Sequence, residues 1–336
     1  MSEPLVVVDA DVLGRRRTGD ETYVMQLLRA LPAVADGLRL AAITRRPELV
    51  PAGVEPISLP ARIQELRMAV RVPLLLRRLR PALAHFVHSL PPALPCPAVL
   101  TVQDLSFERD ASLMGRRETA IFRLVVPRSA RRARRVLAIS ERTRDDLVEL
   151  YHLPPERVVV TLLGVDGAFV PGPRDGGYVL FVGAIEQRKD PLAAAAAAQQ
   201  VGLPLVVVGP EKDTALAAEL RRRGADLRGF VPTEELVRLY QGAACLVFPT
   251  RYEGFGLPVA EAMACGTPVV ATPDAAVREV GGDAVAYAGP GELAETVARV
   301  LADPEPWSRA GLERARLFSW EETARRTAAV YREILS

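Results

Sequence analysis

Short runs that are apolar at every position recur along the chain, and stretches with helical spacing separate them. Such runs indicate parallel strands covered on both faces, because a strand with one wet face alternates apolar and polar residues. In the first half the runs are 5–10, 38–44, 83–87, 98–104, 135–140 and 157–163. In the second half they are 178–183, 204–209, 226–231, 245–250, 268–272 and 284–288. The helical patterns between them include 20–31, 141–151, 234–241 and 291–302. This alternation predicts an α/β fold with doubly wound parallel sheets.

A break in the alternation divides the 336 residues, a length that suggests about two domains. The stretch "GVDGAFVPGPRDGG" (164–177) is rich in Gly and Pro, and we interpret it as an interdomain linker. We predict two Rossmann-like domains, 1–166 and 176–318, and a C-terminal helix over 319–336 that can cross back to the N-terminal domain. In such a pair, ligands bind in a cleft facing the carboxyl ends of both sheets.

The stretch "RYEGFGLPVAEAMACGTPVVAT" (251–272) contains two glutamates, Glu253 and Glu261, with seven residues between them. It follows a strand run, and Pro258 suits the first turn of a helix because its missing N–H costs nothing there. We expect the turn between strand and helix to be formed by Gly254, Phe255, Gly256 and Leu257. Unpaired backbone N–H groups at a helix start make an anion site suited to phosphate, and glycine lets the backbone approach the ligand.

The two glutamates have two interpretations. Taken singly, Glu261 in the first helical turn favours the helix dipole, and Glu253 is an exposed loop charge. Taken as a pair, they can accept hydrogen bonds from hydroxyl groups at both ends of a diphosphate, one set on a ribose and one on a transferred sugar. That second arrangement fits a nucleotide sugar.

Lysine is rare in this chain. Only Lys189 and Lys212 are lysines, and the other 41 of the 43 basic residues are arginines. Lys189 follows Arg188 just before a helical stretch, where such a pair is usually a solvated charge pair. A compact ammonium group binds phosphate as a point charge and is not simply replaced by arginine. The retention of Lys189 therefore makes a phosphate contact a candidate role.

The stretch 252–272 resembles the E-x7-E motif of retaining glycosyltransferases of the GT-B fold, family 4, and in particular their bacterial mannosyltransferase-like members. The resemblance extends over nearly the whole chain. Further segments that resemble the family are 14–31, 138–158, 164–166, 178–191 and 229–250.

The resemblance implies roles for individual residues. Glu253 would contact the donor sugar, Glu261 the ribose, and Arg188 with Lys189 the diphosphate. The other implied donor-binding positions are Gly19, Gly183, Phe230, Val231, Gly254, Phe255, Gly256 and Leu257. Main-chain groups near Phe230 and Val231 would meet the base.

The implied reaction is transfer of a hexose with retention of configuration and departure of a nucleoside diphosphate. We expect mannose from GDP-mannose as the donor, with a UDP-glucose-type donor as the alternative, and a glycan, lipid-linked or small-molecule acceptor. Cations and helix-terminal N–H groups suit the charge that grows on the leaving phosphate. No metal-ligand spacing of His or Cys is present in the sequence, and we expect no metal and no cofactor.

Two segments depart from the family pattern. In "TVQDLSF" (101–107), Gln103 takes the place of a common histidine and cannot accept a proton at neutral pH; Asp104 or a donor phosphate oxygen could do so instead. Gly19 is followed by Asp20 and Glu21, where a second glycine is common. Two alternatives to an active transferase follow: a catalytically weak binding or partner protein, and a sugar-nucleotide epimerase, against which the paired glutamates and the Arg-Lys pair argue.

Segment 62–80 carries six arginines and one glutamate among apolar residues, and "RSARRARR" (128–135) is also basic. We interpret both as surface helices with snorkelling arginines; a peripheral contact with an anionic membrane through 62–80 is the alternative. Pro73 is expected to interrupt any single long helix there. Basic runs without interleaved aromatics argue against nucleic-acid binding. With no run of eighteen apolar residues and no cleavable leader in the sequence, we expect a soluble cytoplasmic protein, with the inner membrane face as the peripheral alternative.

Overall fold

A computed structural model describes residues 3–15, 18–109 and 115–336. The chain forms two compact units. The first comprises the N-terminal part of the chain up to Gly164 together with the C-terminal residues Trp320–Ser336, and the second is Val165–Ser319. The predicted linker 164–177 lies almost wholly on the second unit, where Val165 bridges to Ser319 and the Gly176 N–H donates to the Gly242 carbonyl at 2.9 Å.

The first unit is built on one parallel sheet of seven strands in the order β3-β2-β1-β4-β5-β6-β7. The strands are β1 Leu5–Asp9, β2 Arg39–Thr44, β3 Glu55–Ser58, β4 Leu83–Val87, β5 Ala98–Val102, β6 Arg135–Ala138 and β7 Val158–Val160. Its helices are α1 Thr18–Ala30, α2 Gln64–Leu66, α3 Val72–Leu79, α4 Ser106–Arg109, α5 Arg116–Arg132 and α6 Glu141–Tyr151, with α14 Trp320–Leu335 at the end of the chain.

The second unit is built on a parallel sheet of six strands in the order β10-β9-β8-β11-β12-β13. The strands are β8 Val179–Val182, β9 Leu205–Val208, β10 Asp226–Gly229, β11 Cys245–Phe248, β12 Val269–Ala271 and β13 Ala286–Tyr287. Its helices are α7 Pro191–Gln200, α8 Thr214–Arg222, α9 Thr233–Gly242, α10 Leu257–Ala264, α11 Ala275–Gly281, α12 Leu293–Ala302 and α13 Glu305–Ala315.

Burial explains why the sequence predicts these strands. Every residue of β5, β8, β9 and β11 is buried, as expected for central parallel strands with helices on both faces. The predicted α/β fold with two doubly wound parallel sheets is therefore confirmed. The edge strand β3 is missing from the prediction because its sequence, "EPIS", contains a proline and is largely exposed, and proline is tolerated only at a sheet edge.

The basic segment 62–80 is not one long α-helix, as expected from Pro73. Between α2 and α3 the chain makes a π-helical turn over Arg67–Arg71, and Pro73 falls in the first turn of α3. A proline is tolerated in a first helical turn because the missing N–H has no partner there. The helix ends at Arg80, whose φ of 48° is left-handed.

Helix α14 packs on the first unit through a buried hydrogen-bonded chain. His85 Nδ1 lies 2.6 Å from the Tyr331 hydroxyl, and His85 Nε2 lies 2.7 Å from Thr101 Oγ1, which also meets the Tyr23 hydroxyl at 2.8 Å. Burial lowers the pKa of His85 to about 3, so the ring is neutral and structural. Among the helices of the described residues, none combines the length and the apolar character that crossing a bilayer requires.

Candidate functional site

The turn between β11 and α10 carries Glu253, and α10 carries Glu261. Pro258 lies in the first turn of α10, as predicted, and Gly266 beyond its end has a φ of 73°. Helix α10 begins at Leu257, so Glu261 lies in the second turn and not in the first turn that the sequence suggested. Because the helix dipole acts mainly within the first turn, dipole stabilisation is a weaker explanation of Glu261 than the sequence implied.

Glu253 is the centre of a buried charged cluster. Its Oε1 accepts hydrogen bonds from Lys189 Nζ, from Thr250 Oγ1 at 2.8 Å and, more weakly, from Arg188 Nη1 at 3.4 Å. The Glu253 side chain is only 8% exposed and that of Lys189 11%. A charge at this depth needs a partner, because its desolvation is costly. The interpretation of Glu253 as an exposed loop charge is therefore wrong.

Arg188 links this cluster to the loop after β8. Its Nη1 donates to the Tyr252 carbonyl at 2.5 Å, and its Nη2 donates to Glu186 Oε1 at 2.9 Å. The Arg251 N–H in turn donates to the Arg188 carbonyl at 2.9 Å. The loop of Arg188 and Lys189 is thus joined by side-chain and backbone hydrogen bonds to the loop of Glu253.

Lys189 is held in an environment that opposes its charge. Burial lowers the pKa of its ammonium group, while the Glu253 carboxylate beside it acts in the opposite direction. Its Nζ also lies 5.1 Å from the centre of the Phe248 ring, within the range of a cation–π contact. A solvated surface pair, the ordinary interpretation of Arg-Lys, does not describe this lysine.

Glycines pack closely behind the Lys189 loop. A Cβ on Gly183, at the end of β8, would lie 3.6 Å from Lys189 Cδ, an ordinary contact, so Gly183 does lie beside Lys189. A Cβ on Gly209, at the end of β9, would lie only 2.1 Å from the Gly183 carbonyl oxygen, so no side chain fits there. Gly209 is not among the predicted site residues. Its position directly after a buried strand is the sequence feature that could have indicated it.

The start of α10 is where the sequence predicts an anion site. Gly256 occupies the N-cap with a φ of 99°, which favours glycine, and no side chain caps the helix there. Phe255 is buried, with its ring edge-on to Phe318 at 5.6 Å. Gly254, Phe255 and Gly256 therefore form a fixed turn. The N–H of Leu257, the first helical residue, has no partner inside the helix, whereas Pro258 has no N–H and the Val259 N–H donates to the Gly256 carbonyl at 2.9 Å.

Glu261 is half-buried, and the Tyr240 hydroxyl donates to its Oε2 at 2.9 Å. The pKa of Glu261 is raised to about 7: burial is the main cause, the Tyr240 hydrogen bond acts against it, and the nearby Asp166 carboxylate adds to it. A carboxyl group with a pKa close to neutrality is a common feature of functional sites.

Phe230 and Val231 lie between β10 and α9, on the same unit as the charged cluster. The Phe230 ring is 57% exposed, whereas Val231 is buried. An exposed aromatic ring at the carboxyl end of a parallel strand is available to stack on a planar ligand.

The predicted residues of the first unit form a second group. Gln103 follows β5 and is buried; its Oε1 lies 3.6 Å from where a Cβ on Gly19 would stand, and its Nε2 has no hydrogen-bond partner among the described residues. Asp104 Oδ1 accepts from the Ser106 N–H at 3.1 Å and the Ser106 hydroxyl at 2.9 Å, so one carboxylate oxygen caps α4. The structure thus brings Gly19 and Gln103 together and gives Asp104 a structural role.

The glycine loop before α1 is described only in part. The Gly14 N–H donates to Glu21 Oε1 at 2.6 Å, and His88 Nε2 lies 3.3 Å from Asp20 Oδ1. Both acidic residues that replace the expected second glycine therefore have structural contacts. Arg16 and Arg17 of the predicted segment 14–31 lie outside the described residues. Among the residues that are described, no group of three or more His, Cys, Asp or Glu side chains could hold a metal ion.

Two family models match the chain. The model described as Glycosyltransferase Family 4 matches residues 17–169, and that described as Glycosyl transferases group 1 matches residues 176–303. Together they cover a large part of both units.

Curated relatives and solved structures agree with these matches. The O-antigen chain mannosyltransferase B of Escherichia coli is 32% identical over 231 residues, which cover 60% of this chain and 61% of that protein. The D-inositol 3-phosphate glycosyltransferase 1 of Catenulispora acidiphila is 33% identical over 281 residues, 71% of this chain and 67% of that protein. The chain thus spans between half and two thirds of the length of such relatives. A sucrose-phosphate synthase structure from Thermosynechococcus elongatus has the same fold, with a TM-score of 0.79, 19% identity and 98% of each chain covered.

The raised pKa of Glu261 predicts a pH dependence of stability. Between the usual pKa of 4.5 and about 7, the folded protein holds a proton on Glu261 that the unfolded chain releases. The free energy of unfolding therefore falls by about 1–3 kcal/mol as the pH rises through this interval. Glu261→Gln keeps an acceptor for Tyr240 and removes this contribution. Urea unfolding of both proteins across the interval measures the difference; parallel curves would contradict the assignment.

Proposed function

This chain belongs to the family 4, group 1 glycosyltransferases, and we propose that it transfers a hexose, with retention of configuration, from a nucleotide sugar. The donor that we propose is GDP-mannose, and the acceptor is a glycan, a lipid-linked sugar or a small molecule. The observation that carries the proposal is the buried cluster of Arg188, Lys189 and Glu253 in the same unit as the N-terminus of α10, which no side chain caps.

The cluster supplies the groups that a leaving diphosphate needs. In the proposal the Lys189 ammonium leaves Glu253 Oε1 for a β-phosphate oxygen, and Arg188 binds a second oxygen. Backbone N–H groups at the start of α10 take part of the remaining negative charge. Preorganised cations and dipoles of this kind stabilise charge that develops in the transition state, and they are usually the largest single contribution to catalysis.

Once the Lys189 ammonium has moved to the phosphate, the Glu253 carboxylate can contact the donor sugar. The bond between the anomeric carbon and the phosphate oxygen breaks, an acceptor hydroxyl forms its new bond on the same face, and its proton passes to the leaving phosphate. The products are the glycosylated acceptor and a nucleoside diphosphate. Because the leaving phosphate accepts the proton, the reaction needs no general base from the chain. A glutamine at position 103 is compatible with such a reaction.

The donor's nucleoside has proposed contacts on the same unit. Glu261, oriented by the Tyr240 hydroxyl, accepts hydrogen bonds from the ribose hydroxyls, and the exposed ring of Phe230 stacks on the base, whose edge meets main-chain groups near Val231. The buried Gln103 Nε2, without a partner among the described residues, is available as a neutral donor beside Gly19.

The identity of the donor and that of the acceptor have different support. Mannose is supported by the relative whose name contains mannosyltransferase, whereas the inositol phosphate glycosyltransferases leave the acceptor open. A UDP-glucose-type donor is the alternative, since the contacts in the charged cluster are made to a diphosphate and not to a base. We propose no metal ion, because Arg188 and Lys189 supply the positive charge.

The lysine assignment has a direct test. Lys189→Ala should weaken nucleoside diphosphate binding by about 1.5–3 kcal/mol, the scale of a hydrogen bond to a charged group. Lys212→Ala removes the other lysine, which is 62% exposed and pairs with Glu186, and should change the affinity by less than about 1 kcal/mol. Titration calorimetry with GDP and UDP measures both; equal affinities of Lys189→Ala and wild type would refute the assignment.

Turnover separates an enzyme from a partner protein. We expect the purified wild type to consume a GDP or UDP sugar, and Asp104→Asn to keep most of this activity because one Asp104 oxygen caps α4. Gln103→His should raise the rate by less than the 10²–10⁴-fold, as a rough range, that general-base assistance contributes elsewhere. If the wild type turns over no donor across a panel of acceptors while Gln103→His does, the chain is a binding partner.

A further inference from the structure

Exposed apolar side chains are concentrated on two helical segments of the first unit. Of the nine large apolar side chains that are exposed in the described part of the chain, six lie on segment 62–80 and on α5. These six are Ile63, Leu66, Val70, Leu74, Ile121 and Leu124. Their exposed fractions lie between 43% and 57%, so each presents about half of its surface to solvent.

The two segments lie on the same side of the first sheet. Val72 and Leu76 of α3 and Val126 and Ala130 of α5 are buried in one core cluster, which also contains alternate residues of β1, β2, β4, β5 and β6. The inner sides of both helices therefore cover one face of the sheet, and their outer sides face away from it. On segment 62–80, Ile63 directly precedes α2, and Leu66, Val70 and Leu74 follow at intervals of four, close to one helical turn, through the π-helical turn into α3.

Arginines flank these apolar residues. We call the exposed residues of segment 62–80 the basic apolar face: Arg62, Ile63, Gln64, Glu65, Leu66, Ala69, Val70, Arg71, Leu74, Arg77, Arg78 and Arg80, of which Glu65 alone is acidic. None of its five arginines belongs to an ion pair among the described residues; Arg71 donates to the Pro60 carbonyl. The charges are therefore available to an external anion.

Of the five, Arg80 follows the last residue of α3. Arg67 is the one arginine of the segment that turns inward. It is fully buried and donates to Asp9. All of the solvent-facing arginines of the segment therefore lie on its outer side. An apolar stripe bordered by arginines is the pattern of a helix that lies in the headgroup layer of an anionic bilayer, where apolar side chains insert and arginines meet lipid phosphates.

We propose that the basic apolar face docks the chain peripherally on a bilayer that contains anionic phospholipid. A second copy of the chain fits this face less well, because a two-fold symmetric interface would place the same five solvent-facing arginines against each other. An anionic bilayer complements both kinds of side chain on this face: its negative headgroups complement the arginines, and its apolar interior complements the apolar residues. The proposal goes beyond glycosyl transfer and does not depend on it.

Vesicle flotation tests the proposal. The wild type should bind vesicles of phosphatidylcholine with phosphatidylglycerol, bind pure phosphatidylcholine vesicles weakly, and lose its binding as salt rises because salt screens the attraction. Removing three arginines, Arg62→Gln with Arg77→Gln and Arg78→Gln, should weaken binding on the order of a hundredfold, about fivefold for each arginine. The control removes the same charge from the C-terminal end of α8 and the residue after it by Arg221→Gln, Arg222→Gln and Arg223→Gln, and should keep binding within about fivefold, as expected for charges away from the bilayer.

The apolar contribution has its own variant. Ile63→Ser with Leu66→Ser and Leu74→Ser should weaken vesicle binding at least about tenfold, because three side chains no longer insert. Its control, Val170→Ser with Leu317→Ser, alters two exposed apolar residues of the second unit and should keep binding within about twofold. All of these side chains are exposed, so thermal unfolding should stay close to that of the wild type.

Three results would overturn the proposal. One is equal binding of the wild type to neutral and anionic vesicles, or to neither. Another is unchanged binding of both the arginine and the serine triple variants. The third is a wild-type dimer in light scattering that the serine triple variant converts to monomer, which would assign the face to a second copy. Calorimetry with GDP runs in parallel and should give the same affinity for every variant, so a failure of this proposal is distinguishable from a failure of the proposed function.

Discussion

Parallel strands buried on both faces leave only their ends for polar chemistry. The central strands of both sheets are of that kind, and every candidate site residue outside α1 and α10 follows the carboxyl end of a strand: Gln103 after β5, Lys189 after β8, Phe230 after β10 and Glu253 after β11. Because neighbouring strands β8 and β11 end side by side, their loops meet, and Arg188 and Lys189 reach Glu253 without any long-range folding device. The site is a consequence of strand order.

The contact between Lys189 and Glu253 gives this site its chemical character. Each charge is neutralised by the other at a buried position, where an unpaired charge would have a large desolvation free energy. In the function that we propose, a diphosphate brings its own negative charge and takes over the lysine when the donor binds, so the lysine then stabilises the charge of the leaving group. The same reasoning explains why lysine stays at this position in a chain that otherwise uses arginine almost throughout.

The sequence predicts central strands well and peripheral features poorly, for physical reasons. Runs such as "LVVV" and "CLVF" are unambiguous because both faces are buried, whereas β3 is exposed and contains proline. Paired glutamates and an isolated lysine indicated the candidate site, but the ion pair between Lys189 and Glu253 depends on strand order, which periodicity does not encode. The turn of α10 that holds Glu261 depends on a helix start at Leu257, one residue before the proline used as the marker. For segment 62–80 the sequence favoured ordinary surface helices; the exposure of Ile63, Leu66, Val70 and Leu74, visible only after folding, shifts the interpretation to membrane docking.

The most direct test of the central claim is a crystal structure of the chain with a bound nucleoside diphosphate. The account predicts that Lys189 Nζ lies within hydrogen-bond distance of a β-phosphate oxygen, that Glu253 Oε1 has lost its lysine partner, and that N–H groups at the start of α10 face the phosphates. A diphosphate bound away from this loop, with the contact between Lys189 and Glu253 intact, would contradict it.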